Sequence, residues 1–212
     1  MKKFLTISVI LFLINSINTF SQNKREDLEY KFDVAKVVND TSITYYGWDF
    51  RFLIFNDPKF PEAKDVIIKL LPGLRGIIDD RFGPEYMERR FLKKHFVYNP
   101  RAIQSLIKNV DEKSLVDIYR QPLSIDSVRS IVKSYPVNGK GLGAVIIADE
   151  MRKRDITVTA YVTIFDLESK EILYACKMNG KAGDKGSVAR FYGKGVIYIN
   201  SYFWRYYKKL YK

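Results

Sequence analysis

The chain has 212 residues, is 47% hydrophobic and 15% aromatic, and carries one cysteine, one histidine and a formal net charge of +12. A single cysteine excludes an internal disulfide, and a single histidine excludes a histidine cluster for zinc; any Ser-His-Asp or Cys-His site has to pass through that one imidazole. The excess of Lys and Arg attracts acidic partners without naming one.

In chain order, residues 1–21 read as a signal peptide. Lys2 and Lys3 give the positive end, Phe4 to Ile14 the apolar run, and Thr19-Phe20-Ser21 a small-x-small cleavage pattern that places Gln22 at the mature terminus. The run is shorter than the roughly 20 apolar residues of a spanning helix, so cleavage is expected rather than an uncleaved anchor. The expected location is periplasmic or extracellular. A lipoprotein is not expected, because that route needs a cysteine at the cleavage site and the one cysteine is Cys176. Residues 22–212, about 190 in number, can bury one sizeable core, and no Pro-, Gly- or Ser-rich linker divides them, so a single α/β domain is expected.

Tyr30 to Val38 reads as an edge strand or a loose arm, and Tyr46 to Phe55 as the first firm strand, ended by Asp57-Pro58. Val66, Ile67, Leu70, Leu71, Leu74, Ile77 and Ile78 recur at spacings of three and four, one apolar stripe of a helix. Pro72-Gly73 interrupts it, predicting a kink or two pieces, and Gly83-Pro84 ends it. Glu85 to Tyr98 crowds Glu88, Arg89, Arg90, Lys93, Lys94 and His95 into a solvated helix face or strand edge. Asn99-Pro100 predicts an N-cap and first helical position, and Leu115 to Tyr119 a short strand. Ser124 caps a helix carrying Ile125, Val128, Ile131 and Val132, stopped by Pro136 and Gly139.

The clearest pattern follows. Leu142 to Ala148 is nearly all apolar, as in a strand covered on both faces. From Ile156 to Phe165 apolar residues alternate with Thr157, Thr159, Tyr161 and Thr163, and Ile172 to Met178 returns after the turn Asp166 to Lys170. Cys176 falls in line with Ile172, Tyr174 and Met178, a buried and inert thiol. The predicted class is α/β: a mixed β-sheet with a C-terminal antiparallel three-stranded meander and helices packed on it.

Catalytic groups are sought by subtraction. His95 lies among charged residues that argue for the surface, and Asp149-Glu150 point to opposite faces of their strand, so no catalytic residue, metal ligand or cofactor site is assigned. Gly139 to Gly143 precedes a strand, the reverse of a dinucleotide-binding turn. Gly180 to Ser187 sits between a strand and a helix and offers Lys181, Gly183, Lys185, Gly186 and Ser187 as anion-binding candidates. It departs from the phosphate-loop pattern, since Lys185-Gly186 is inverted, and a tight structural turn is the competing reading. Val188 to Lys212 interleaves aromatic residues with Arg190, Lys194, Arg205, Lys208 and Lys209, a composition shared by single-stranded nucleic-acid grooves and by helices lying on anionic membranes or acidic glycans. A terminal helix covering the sheet through Phe191, Ile199, Tyr202, Phe203, Tyr206 and Leu210, with its lysines in water, explains the same residues.

Tyr46-Gly47-Trp48-Asp49-Phe50, the Phe165-Asp166 hairpin and Gly180-Lys181-Ala182-Gly183 before an aromatic helix resemble a group of uncharacterised secreted or periplasmic proteins of Bacteroidota. Their layout is similar to the small α/β domain of Tol-system and curli-secretion proteins. That resemblance implies a non-enzymatic binding or assembly module of the cell envelope. The basic C-terminal segment adds an envelope protein, an acidic glycan or a membrane surface as the expected partner, with nucleic acid disfavoured by export. The alternative is a hydrolase-type enzyme using His95 or the Gly180 to Ser187 loop.

Overall fold

A computed structural model of the chain describes residues 27–57, 62–116, 119–183 and 185–212. The predicted signal peptide, 1–21, lies outside the described residues. Among those described, no helix is long and apolar enough to cross a membrane.

Strand β1 (Leu28–Lys31) is followed by helix α1 (Val34–Asn39), β2 (Ser42–Asp49) and β3 (Ile54–Asn56). A long helical segment then runs through Ala63–Asp65, the π-helical turn Val66–Leu70 and α2 (Leu71–Arg81). Next come α3 (Pro84–Phe91), β4 (His95–Tyr98), α4 (Arg101–Gln104), two 3-10 turns (Ser105–Asn109 and Glu112–Val116) and α5 (Ile125–Lys133). The chain closes with β5 (Leu142–Arg152), β6 (Thr157–Asp166), β7 (Ile172–Lys181) and the 22-residue helix α6 (Val188–Lys209).

The seven strands among the described residues join one sheet in the order β1-β7-β6-β5-β2-β4, with β3 beside β5. β5, β6 and β7 form the predicted antiparallel meander, and β1 adds to β7 antiparallel. β2, lying between β5 and β4, is parallel to both. The class is therefore α/β with a mixed sheet.

The period-2 pattern divides the core. Ala144, Ile146, Ala148, Val158, Ala160, Val162, Tyr174 and Cys176 face one way, beneath α6, α2 and α3. Tyr46, Val145, Ile147, Tyr161, Phe165 and Ala175 face the other, beneath α4 and α5. Ile172 belongs to this second layer, not to the Cys176 face, because a register shift between Ile164 and Phe165 breaks the alternation there.

Several elements differ from their predicted form. The first firm strand starts at Ser42 and ends at Asp49; Gly47, at φ +74, and the register shift it accompanies let β2 leave its ladder before Phe55. Tyr30 to Val38 is half strand, half helix, because Asp33 accepts a bond from the Lys36 amide at 2.9 Å and starts α1. Pro72 is helical. Its ring would meet the Ile68 carbonyl of a regular α-helix, and the widened turn, in which the Leu71 amide reaches back to Val66, removes that conflict. Asn99 does not cap: its amide donates to Tyr45, and Pro100 takes the cap position. The strand expected at Leu115 to Tyr119 is instead the 3-10 turn Glu112–Val116 as far as it is described, and β7 extends through Gly180 and Lys181.

Helix α6 lies unusually close to the sheet. A methyl group on Gly195 would fall 2.5 Å from Val158 Cγ2, and one on Gly180 would fall 2.8 Å from the Gly195 carbonyl carbon. Alanine at either position should therefore destabilise the fold by about 1–3 kcal/mol, although alanine ordinarily favours a helix interior. Gly76 of α2 has no described atom within 4 Å of the equivalent position, so Gly76→Ala should stabilise by about 0.5–1 kcal/mol. Urea denaturation of the three variants tests this: equal effects at Gly195 and Gly76 would contradict the close packing.

Candidate binding surface

Glycine contacts and ring packing decide which side of α6 faces out. Ser187 caps it, its Oγ accepting from the Arg190 amide at 3.3 Å. Inward lie Phe191, Tyr192, Val196, Ile199, Phe203, Trp204 and Tyr207. Trp204 stands edge-on to Phe91 with centroids 4.8 Å apart, and the Tyr207 hydroxyl donates to the Phe91 carbonyl at 2.9 Å. Of the six residues predicted to cover the sheet, Phe191, Ile199 and Phe203 do so. Tyr202, Tyr206 and Leu210 are half-buried at the flank, because the helix is rolled to bring Gly195 onto β7.

The outward face gathers the predicted surface cations. Arg190, Lys194, Arg205, Lys208 and Lys209 are all exposed, and none forms an ion pair with a described carboxylate. Arg190, Lys194, Arg205 and Lys208 fall within about 60° around the axis of a helix about 33 Å long. Among them Tyr198 and Tyr202 stack at 4.1 Å and 15°, and the Arg205 guanidinium lies 4.1 Å over the Tyr202 ring. Lys209 lies 5.3 Å over Tyr206, whose hydroxyl donates to Asp27 at 2.9 Å. Burial first, then that bond and the Asp27 charge, raises the Tyr206 phenol well above its ordinary value.

The glycine-loop candidates do not converge. Lys181 is an exposed residue at the end of β7, while Gly183 is buried with its amide donating to the Phe191 carbonyl at 2.8 Å. Lys185, Gly186 and Ser187 are exposed; Gly186 takes φ +117, and Ser187 is committed to its capping bond. His95 starts edge strand β4, exposed and without an ion pair to a described carboxylate. Four strand spacings, about 19 Å, separate β4 from β7, and His95 and Lys181 sit at opposite ends of the strands between them. Among the described residues no three His, Cys, Asp or Glu side chains gather to hold a metal ion.

Cys176 is buried. Burial, and then the nearby Asp27 and Glu29 charges, pushes its thiol up to about 12, so it stays protonated.

Sequence reasoning missed two buried polar clusters at the far ends of β2 and β5. Asp49 accepts from the Arg51 side chain (Nη2 at 2.8 Å) and from the Tyr135 hydroxyl at 2.9 Å. Asp149 Oδ1 accepts from the Leu123 amide at 2.8 Å. Lys177 Nζ lies 2.9 Å from Asp149 Oδ2 without hydrogen-bond geometry, an ion pair rather than a directed bond. The bulge between Ala148 and Glu150 turns Asp149 inward toward Leu123, whereas Glu150 pairs with Arg152 at the end of the strand. An aspartate ending an aromatic strand beside an arginine, Trp48-Asp49-Phe50-Arg51, was the available signal for the first cluster.

A surface cleft of about 410 Å³ opens between α1, α5 and the β6–β7 hairpin. Most of its charges are paired, Lys36 with Asp166 at 2.8 Å, Arg129 with Asp126 at 2.5 Å and, at its rim, Lys133 with Glu171 at 3.0 Å, while Asp33 caps α1. Burial alone would raise the Asp166 carboxyl, but Lys36 and the Ser169 amide outweigh it and hold the carboxyl at about 2, against an ordinary 3.8. A depressed carboxyl stabilises the fold above its unfolded value. Asp166→Asn should therefore lower stability by about 1–2 kcal/mol near neutrality, and the gap should close as pH falls from 3.8 through about 2. A gap that stays constant in acid denaturation curves would contradict the Lys36 pairing.

In comparison with known proteins, no protein-family model and no curated protein matches the chain.

Proposed function

We propose that the chain is a non-enzymatic binding or assembly module, exported to the cell envelope, that engages its partner through the outer face of α6. One observation carries this reading: five cations share one side of a helix whose other side is locked to the sheet, and none is neutralised by a described carboxylate. Paired surface charges contribute little to recognition, whereas unpaired ones in a row raise the local potential that draws an acidic partner. The alternative, a hydrolase built on His95 or the Gly180 to Ser187 loop, has no comparable support, since each sits at its own corner of the sheet with its polar groups apart or committed locally.

Cosedimentation of the mature chain with isolated bacterial envelopes tests the reading. Wild type should pellet at low ionic strength and be released by salt, because exposed charges are screened within about 10 Å at 0.1 M. The variant Arg190→Gln, Lys194→Gln, Arg205→Gln, Lys208→Gln, Lys209→Gln, with an unchanged circular dichroism spectrum, should stay in the supernatant. Equal pelleting of the two proteins would overturn the assignment of the surface.

A further inference from the structure

We infer that the outer face of α6 is a docking line for a linear acidic polysaccharide, an inference that rests on the binding-module reading above. Three features of the face narrow the class of partner. The cations extend from Arg190 near one end of the helix to Lys209 at the other, about 29 Å apart along the axis, which matches an extended polymer with regularly repeated charges better than a single small anion.

Tyr202, at mid-line, is not free for base stacking. Tyr198 and the Arg205 guanidinium each lie 4.1 Å from the Tyr202 ring, and two groups at that distance cannot share one face, so both faces of Tyr202 are occupied. A nucleic acid would have to break this stack to intercalate a base. The closed stack still offers hydroxyl groups and ring edges between the cations, suited to the hydroxyls and carboxylates of a sugar chain.

The apolar side of the helix is committed to the sheet, from Phe191 to Tyr207. An interfacial membrane helix binds by burying that side in lipid. The exposed residues of α6 are Arg190, Lys194, Arg205, Lys208 and Lys209, with Val188 and Ile197 as half-buried aliphatics beside them, a face complementary to a hydrated polyanion.

Arg190 supports the same conclusion from the side of stability. It occupies the third residue after the Ser187 cap, where a glutamate would complete a capping box, and the first turn carries no acidic residue. A cation beside the positive end of the helix dipole opposes folding. Its placement is explained if it meets an anion from outside.

The test is fluorescence anisotropy with labelled polygalacturonate, compared with neutral dextran, phosphatidylglycerol vesicles and oligo(dT). Polygalacturonate should bind, weaken log-linearly with salt, lose at least 10-fold in affinity in the five-glutamine variant, and outcompete the vesicles and the oligonucleotide; dextran should not bind. Arg190→Glu provides a folded control: its melting temperature should equal or exceed wild type while its affinity for polygalacturonate falls several-fold. Tighter α6-dependent binding to vesicles or oligo(dT) would overturn the polysaccharide inference and leave the binding-surface reading standing. Binding to none of the three anionic probes, or binding indifferent to the five substitutions, would overturn both.

Discussion

The fold depends on a backbone-to-backbone contact between α6 and β7. Gly195 on the helix and Gly180 on the strand oppose each other so closely that a side chain on Gly180 would displace the Gly195 main chain, while one on Gly195 would run into Val158 of β6 and press on the Gly180 carbonyl. The same helix meets α2 through two further small residues: a methyl on Gly193 would fall 2.6 Å from Ile77, and one on Gly73 would fall 2.6 Å from Ala189. A helix seated on large side chains can roll by trading one rotamer for another; one seated on glycine has no soft contact to trade. Roll and height of α6 are thus set together. That is why ten of its residues are buried and why its cations emerge on one side.

Around this contact the aromatic residues do what their bulk requires. Phe91 is surrounded by Tyr45, Phe96, Trp204 and Tyr207, with centroids from 4.8 to 5.8 Å. Helix α3 is thereby fastened to both α6 and the edge of the sheet. Lys93, in the loop after α3, donates to the carbonyls of Val37, Val38 and Asp40 and so closes the end of α1. A charge that read as solvated in the sequence is a helix cap supplied from 55 residues away in the chain.

What was legible and what was not follows from the range of the interactions. The meander could be read because each strand is longer than eight residues and its alternation is a local property of the chain. α5 could be read because its cap, Ser124 accepting from the Ser127 amide, is local as well. β4 could not: four residues with no sustained alternation become a strand only because β2 lies beside them. β1 depends on carboxylate ties made far away in sequence, Asp27 to the Asn179 amide and Glu29 to the Tyr174 hydroxyl. The cations of the candidate surface were legible as composition. Their gathering on one side was not, because the roll of α6 is decided by Gly180, which lies outside the helix.

The charge arrangement on α6 is not the one stability alone would favour. Lys208 and Lys209 in the last turn complement the helix dipole, each worth a few tenths of a kcal/mol to about 1 kcal/mol. Arg190 in the first turn opposes it by a similar amount, and no acidic residue in that turn compensates. Lys194 and Arg205 gain nothing from the dipole, which fades within a turn of either end. Elsewhere on the protein the cations are used: Lys36 with Asp166, Arg51 with Asp49, Lys177 with Asp149. Lys36, Arg51 and Lys177 are paired with carboxylates, whereas the five cations of α6 meet no described carboxylate and Arg190 stands against the helix's own dipole; that contrast is what supports the proposal of an acidic partner.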